Sequence, residues 1–352
     1  FNDFVQFVFL TIITIFAFCV LIALLLSFFE IKKIDKTIVE RIELISKKAN
    51  EFANSKHDGN SKDYRIETKA GSVNELDVLA NDMNKMMADI DNYIQNIETI
   101  TAERERIGAE LSLAEKIQRS YLPSIFPAFP DRSEFDLYAS MNPAKEVGGD
   151  FYDFFMIDED HLGLVIADVS GKGVGAALFM MISKTLLNNQ AMFISSPAEV
   201  LKTVNNRLCS GNEAEMFVTV WLGILEISTG KLIASSAGHE YPAIKKHDGD
   251  FTLFKDKHGF VLGGMPNLKY RDYELQLEKG DILYVYTDGV PEATNANKEL
   301  FGTARMVDAL NKYKDENITS ILQGVSHEIN QFVGDEEQFD DITMLGIHYL
   351  GK

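Results

Sequence analysis

Val147-Gly148-Gly149-Asp150-Phe151-Tyr152-Asp153, the apolar run Leu162 to Ala167, and then Asp168-Val169-Ser170-Gly171-Lys172-Gly173 form the stretch on which the fold turns. Two acidic clusters flank what reads as one hairpin. Gly148 and Gly149 let the backbone approach a neighbour closely just before Asp150. Asp168 closes a strand-like run and opens a Gly-rich turn. Carboxylates at strand ends, with glycines beside them, suit a hard cation that takes oxygen ligands.

Two more acidic sites recur downstream. Thr287-Asp288-Gly289 follows the apolar run Ile282 to Tyr286, and Asp340-Asp341 precedes Ile342 to Ile347. A single Asp at such a place is an ordinary turn residue. Four strand ends carrying carboxylates point instead to an all-oxygen nest for two divalent ions, if the ends converge. No Cys or His cluster accompanies the acids, so Zn²⁺ fits poorly.

The chain has 352 residues, enough for more than one domain. Its net charge of −19 argues against nucleic acid as a partner, because that footprint is basic. Cys19 and Cys209 are too few for a disulfide framework. The first residue is Phe1 rather than Met, so an upstream region is expected.

Phe4 to Phe29 carries no charged residue. As a helix it is roughly 39 Å long at about 1.5 Å per residue, enough to span a bilayer with tilt. Lys32, Lys33, Lys36 and Arg41 follow, and no basic residue precedes. Residues 1–29 therefore read as a single pass through the inner (cell) membrane, with all that follows in the cytoplasm. Residues 30–87 read as two amphipathic helices round a polar connector near Ser55 to Asp63. Ile31, Ile34, Ile38, Ile42 and Ile45 mark the first; Leu76, Leu79, Met83 and Met86 mark the second. With Asn74-Glu75-Leu76, this region resembles a HAMP domain, the dimeric helical relay of bacterial receptors. Residues 88–123 read as a linker helix with a heptad seam: Ile97, Ile100, Arg104, Ile107, Leu111, Ala114, Gln118 and Tyr121. Such a seam favours a parallel coiled-coil homodimer. Pro123, Pro127 and Pro130 end it.

In residues 124–352, strand-like runs from Phe135–Ala139 to Ile342–His348 alternate with few helices: Gly175–Met192, Ala198–Leu208, Thr303–Asn311 and Ile318–Gly334. Ser196 and Pro197 read as cap and first position of the second of these. Strands without a helix after each argue against a doubly wound sheet.

The order GGDFYD, DVSGKG, TDGV, DDIT resembles the bacterial branch of the metal-dependent protein phosphatase (PPM) family, which contains the SpoIIE-like serine phosphatases. The resemblance runs from about Leu111 to the C-terminus. It includes Ala114-Glu115-Lys116-Ile117-Gln118 with Leu122-Pro123, Ala237-Gly238-His239 and Phe301-Gly302. It implies an α+β fold, a sandwich of two antiparallel sheets flanked by helices. It implies Asp150, Asp168, the Val169 carbonyl, Asp288 and Asp340 as ligands of two ions, Mn²⁺ or Mg²⁺, with Asp168 shared by both. Asp153 and Asp341 then stand as partners behind the ligands. The implied reaction is hydrolysis of phosphoserine or phosphothreonine by an activated water, and the implied substrate is a phosphorylated anti-sigma-factor antagonist. Lys172 reads either as a phosphate contact or as an exposed turn residue, and His239 as a proton donor or a structural histidine. Two rivals remain: a diguanylate cyclase, from Gly148-Gly149-Asp150-Phe151, and a catalytically silent binding module.

Overall fold

The computed structural model describes residues 2–55, 64–67, 75–255 and 257–351. The expected polar connector past Ser55, and Asn74, lie outside the described residues. The chain divides into two compact units, Phe1–Ile107 and Gly108–Lys352.

In the first unit, helix α1 (Asn2–Ile34) runs through one π-helical turn (Asp35–Val39) into α2 (Glu40–Ala53). Its most apolar window has a mean hydropathy of 3.0, and none of that window is buried. By length and composition the helix can cross a membrane. No break falls at the expected end of the span, because Glu30, Lys32 and Lys33 complete the last turns of α1. Helix α3 (Glu75–Tyr121) begins beside α2. Ile45 and Phe52 of α2 and Ala80 and Met87 of α3 enclose Ile66. Asn84 pins that segment: its amide donates to the Ile66 carbonyl at 2.9 Å, and its oxygen accepts the Ile66 N–H at 2.8 Å. Arg41 pairs with Asp77 at 3.0 Å.

The inward stripe differs from the expected one. Ile31, Ile34, Ile38 and Ile42 are exposed, and so are Leu79 and Met86, whereas Ile45, Ala80 and Met87 are buried. Contact with Ile66 and Phe52 sets the face that α3 turns inward, and spacing along one helix does not specify that contact.

In the second unit the chain runs β1 (Phe135–Asn142), β2 (Phe151–Met156), β3 (His161–Val169), α4 (Val174–Ala191), α5 (Pro197–Cys209), β4 (Val218–Glu226) and β5 (Lys231–Ala237). It continues through β6 (Ala243–Lys245), β7 (Phe251–Leu253), β8 (Tyr273–Gln276), β9 (Ile282–Tyr286), α6 (Gly289–Glu292), α7 (Gly302–Lys312), α8 (Ile318–Val333) and β10 (Ile342–Tyr349). Two five-stranded sheets result, ordered β1-β10-β9-β6-β7 and β2-β3-β4-β5-β8. Every pairing within them is antiparallel. This is the α+β sandwich that the family resemblance implied.

Period-two alternation explains the layers. On β9, Leu283 and Val285 face the core between the sheets, while Ile282, Tyr284 and Tyr286 face α7 and α8. The same buried cluster continues through the second sheet to Leu187 of α4 and Val200 and Val204 of α5 on its far side. Helices therefore cover both outer faces, which buries the central strands on two sides. Ser196 caps α5 by accepting the Glu199 N–H at 3.3 Å, with Pro197 in the first turn.

Fully buried Trp221 on β4 donates its indole N–H to the Tyr273 hydroxyl on β8 at 2.7 Å. Tyr273→Phe removes that acceptor and strands a buried donor. Urea unfolding of the variant is expected to show a loss of about 1–3 kcal/mol. An unchanged midpoint would show that water replaces the hydroxyl.

Candidate active site

The acidic residues come together because two sheet ends meet. Strand register sets Phe151 opposite Ala167 in one sheet and Met344 opposite Tyr286 in the other. Asp150 and Asp168 thus leave one sheet side by side, and Thr287-Asp288 and Asp340-Asp341 leave the other. Thr287 stitches the two together. Its hydroxyl donates to Asp150 Oδ2 at 2.7 Å, and its N–H donates to the Thr343 carbonyl at 3.0 Å. Thr287 opens the Thr287-Asp288-Gly289 motif, but a motif alone does not show that its hydroxyl meets Asp150.

The cluster resists ionisation. Burial, then the Asp168 and Asp341 charges, hold Asp150 well above the usual carboxylate range. Burial pushes Asp168 up to about 6, with Asp340 and Asp341 adding to the rise and Asp150 and Lys172 opposing it. Burial pushes Asp288 up to about 7, helped by Asp168, Glu292, Asp340 and Glu240. Glu240 and Glu292, also missed in the sequence, extend the acidic field. Glu240 directly follows Ala237-Gly238-His239, which was the available signal.

Asp341 is a clamp. Its Oδ1 accepts the Ala144 N–H at 2.8 Å, and its Oδ2 accepts the N–H groups of Gly149 at 2.7 Å and Asp150 at 3.3 Å. These bonds fix the loop that presents Asp150. They also explain the paired glycines. A Cβ on Gly148 would lie 2.5 Å from Asp341 Oδ2, and one on Gly149 would lie 2.8 Å from the Val169 carbonyl. The close approach expected of Gly148 and Gly149 is thus to Asp341 and to Val169.

Two other residues sit differently from expectation, and a third is engaged by a neighbour. Asp153 faces α4, where it pairs with Lys184 at 2.8 Å and accepts from Asn188 at 3.1 Å. It takes no place behind the cluster, because strand alternation turns it the other way from the sheet end. Gln118 leaves the heptad seam: it is buried, donates to the Gly148 carbonyl at 2.6 Å and accepts the Gly148 N–H at 3.1 Å. One amide satisfies both backbone groups of Gly148, which a dimer seam does not offer. Lys172 is an exposed residue of the turn, as one of its two readings had it, and its ammonium is already engaged. It pairs with Asp340 at 3.1 Å, donates to the Phe339 carbonyl and lies 4.1 Å from the Phe339 ring centre.

His239 is buried, and its Nδ1 shares a hydrogen bond with the Thr219 hydroxyl at 2.9 Å. Burial lowers its pKa to about 3, so it stays neutral at ordinary pH and holds a turn. That is the structural alternative.

The donors fit a pair of hard cations in kind. Only oxygen ligands are gathered, and their mutual repulsion is the condition a divalent ion relieves. Among the described residues, no three His, Cys, Asp or Glu side chains close round one point. The fit therefore rests on donor chemistry and grouping.

A pH dependence follows. The folded carboxyls at about 6 and about 7 lie above an unfolded value of ~4, so between these limits the folded state holds more protons. This contribution is complete at low pH and lost as pH rises through the folded values. In EDTA, the melting midpoint should fall from about pH 5 to about pH 7.5, and fall less in Asp288→Asn. Equal slopes would contradict the assignment of Asp288 to the cluster.

Comparison with known proteins gives concordant results. The family model described as Stage II sporulation protein E (SpoIIE) matches residues 158–350. Protein IcfG of Synechocystis is 31% identical over 319 residues, covering 81% of this chain and 48% of IcfG. The chain thus spans about half the length of that relative. Phosphoserine phosphatase RsbU of Bacillus subtilis is 29% identical over 255 residues, covering 71% of this chain and 73% of RsbU. The SiaA-PP2C domain of Pseudomonas aeruginosa shares the fold, with a TM-score of 0.63 at 22% identity over 70% of this chain and 99% of that domain.

Proposed function

The chain belongs to the SpoIIE family of PPM-type protein serine phosphatases, and from that premise we propose that its C-terminal unit hydrolyses phosphoserine or phosphothreonine on a regulatory protein. The observation that carries the reading is the meeting of carboxylates from four strand ends, where Asp150, Asp168 and Asp288 each resist ionisation. Asp150, Asp168, Asp288, Asp340 and the Val169 carbonyl would hold two divalent ions, Mn²⁺ or Mg²⁺. Bound there, such ions supply an activated water and neutralise charge on the transferring phosphoryl group. Thr287 orients Asp150 through its hydroxyl, and Asp341 fixes the backbone that carries it. His239, kept neutral by burial, is not placed as the proton donor.

Control is proposed to come from upstream. The apolar helix spans the membrane, and its following lysines keep the catalytic unit in the cytoplasm. The helical pair acts as a HAMP-like relay, and a homodimer forms along Ile97, Ile100 and Ile107, which are exposed. Gln118 supports a link from helix α3 to the site, because a shift of that helix moves the Gly148 backbone beside Asp150. The substrate class, a phosphorylated anti-sigma-factor antagonist, comes from the family resemblance.

The test is phosphate release from a serine-phosphorylated anti-sigma-factor antagonist by the full chain in Mn²⁺. Release that stops in EDTA is expected. GTP consumption without phosphoprotein hydrolysis would favour the cyclase, and Mn²⁺-independent silence would favour the binding module.

A further inference from the structure

Helix α4 starts directly after the turn that carries Asp168 and Lys172, and it is apolar on both sides. Ala176, Met180 and Leu187 are buried inward. Val174, Leu178 and Ile182 face outward at helical spacing, the last two 57% and 53% exposed. A surface helix ordinarily carries charge on its outer face. Here the one charged residue of α4, Lys184, turns inward to Asp153.

The apolar face continues beyond the helix. Phe217 is exposed and tied to the same turn: its N–H donates to Ser170 Oγ at 2.9 Å, and the Ser170 N–H donates to its carbonyl at 2.8 Å. Phe260 and Met265 are exposed as well, and with Phe217 they line one cleft. Phe179 of α4 lies against Gly263 of that loop. Exposed apolar surface of this extent, beside a reactive centre, marks an interaction site.

The edge of the patch defines its partner. Glu215 lines the cleft, Glu213 beside it is exposed, and the chain as a whole carries −19. Lys172, the nearby cation of the turn, is already paired with Asp340. The complement is an apolar surface ringed by basic side chains. The patch is a helix face with flanking loops, which meets packed side chains rather than an extended strand.

We propose that the outer face of α4, with Phe217, Phe260 and Met265, docks the folded phosphoprotein substrate and so delivers its phosphoserine to the adjacent acidic site. The proposal rests on the phosphatase reading above. Substrate choice then lies in an apolar contact outside the reacting centre, and a short peptide or aryl phosphate gains nothing from it.

The experiment compares the wild-type chain with Leu178→Asp and Ile182→Asp in Mn²⁺. Three probes are used: a serine-phosphorylated anti-sigma-factor antagonist, a phosphoserine peptide cut from its modification site, and p-nitrophenyl phosphate. Both side chains are exposed, so the fold is kept, and circular dichroism melting checks it. The expected result is a fall of about tenfold or more in kcat/KM for the protein, the size of a central interface contact, with the other two probes unchanged. Equal falls on all three probes, or none on the protein, would overturn the docking proposal. A shift in sedimentation from dimer to monomer, with equal falls, would assign the face to a second copy of this chain and overturn it too. If wild type cleaves none of the probes, the phosphatase reading fails instead.

Discussion

Asp288→Ala is expected to lower Mn²⁺-dependent phosphate release by more than about 100-fold, since mutating even an outer-shell partner of a metal costs 10–100-fold. Melting in EDTA should be unchanged or higher. The side chain of Asp288 makes no capping bond to α6, so its removal costs no such hydrogen bond. Burial and four neighbouring carboxylates oppose its ionisation, so its removal relieves repulsion near neutral pH. Loss of function joined to gain of stability distinguishes a ligand from a structural carboxylate. Normal turnover by the variant would remove Asp288 from the site.

Gly289→Ala should produce the second large effect, through packing. A Cβ there would lie 1.9 Å from the carbonyl oxygen of Asp341, a backbone atom that cannot swing aside. Either α6 or the Asp340-Asp341 segment must move. Overpacking of this kind costs about 3 kcal/mol, at the upper end of its usual range. For a unit of this size that lowers the melting midpoint by roughly 6–12 °C. The same shift displaces Asp341 from the amides of Gly149 and Asp150, so Mn²⁺ affinity should fall with stability. Asp288→Ala separates the two properties, whereas Gly289→Ala joins them. A Gly289→Ala unit that melts like wild type would mean that the strand ends are less tightly joined than the register indicates.

Much of this architecture was legible in the residues. The apolar runs Leu162 to Ala167 and Ile282 to Tyr286 located β3 and β9 within a few residues, and Ser196-Pro197 fixed the start of α5. Two short elements were not legible. Strand β7 is only Phe251–Leu253, and it exists because Ala243 and Lys245 pair with its ends. Helix α6 is a single turn whose glycine is demanded by Asp341 rather than by helix propensity. Nor does a run of two acids say which one faces which neighbour. Asp341 is consumed by three backbone amides and Asp340 pairs with Lys172, a division that depends on atoms far away in the chain. Gln118 shows the same limit on a helix. Its heptad position suggested a dimer seam, and tertiary contact with Gly148 claimed it instead. Local pattern reports periodicity faithfully and is silent on which partner meets each face.

Calorimetric titration of Mn²⁺ into wild type and Asp168→Asn, at about pH 6 in buffers of different ionisation enthalpy, tests most directly whether these carboxylates serve metal. Wild type should bind with release of protons, because Asp150, Asp168 and Asp288 hold them before the ion arrives, and Asp168→Asn should bind far more weakly. Binding of equal strength in both proteins, or no binding by wild type, would contradict it.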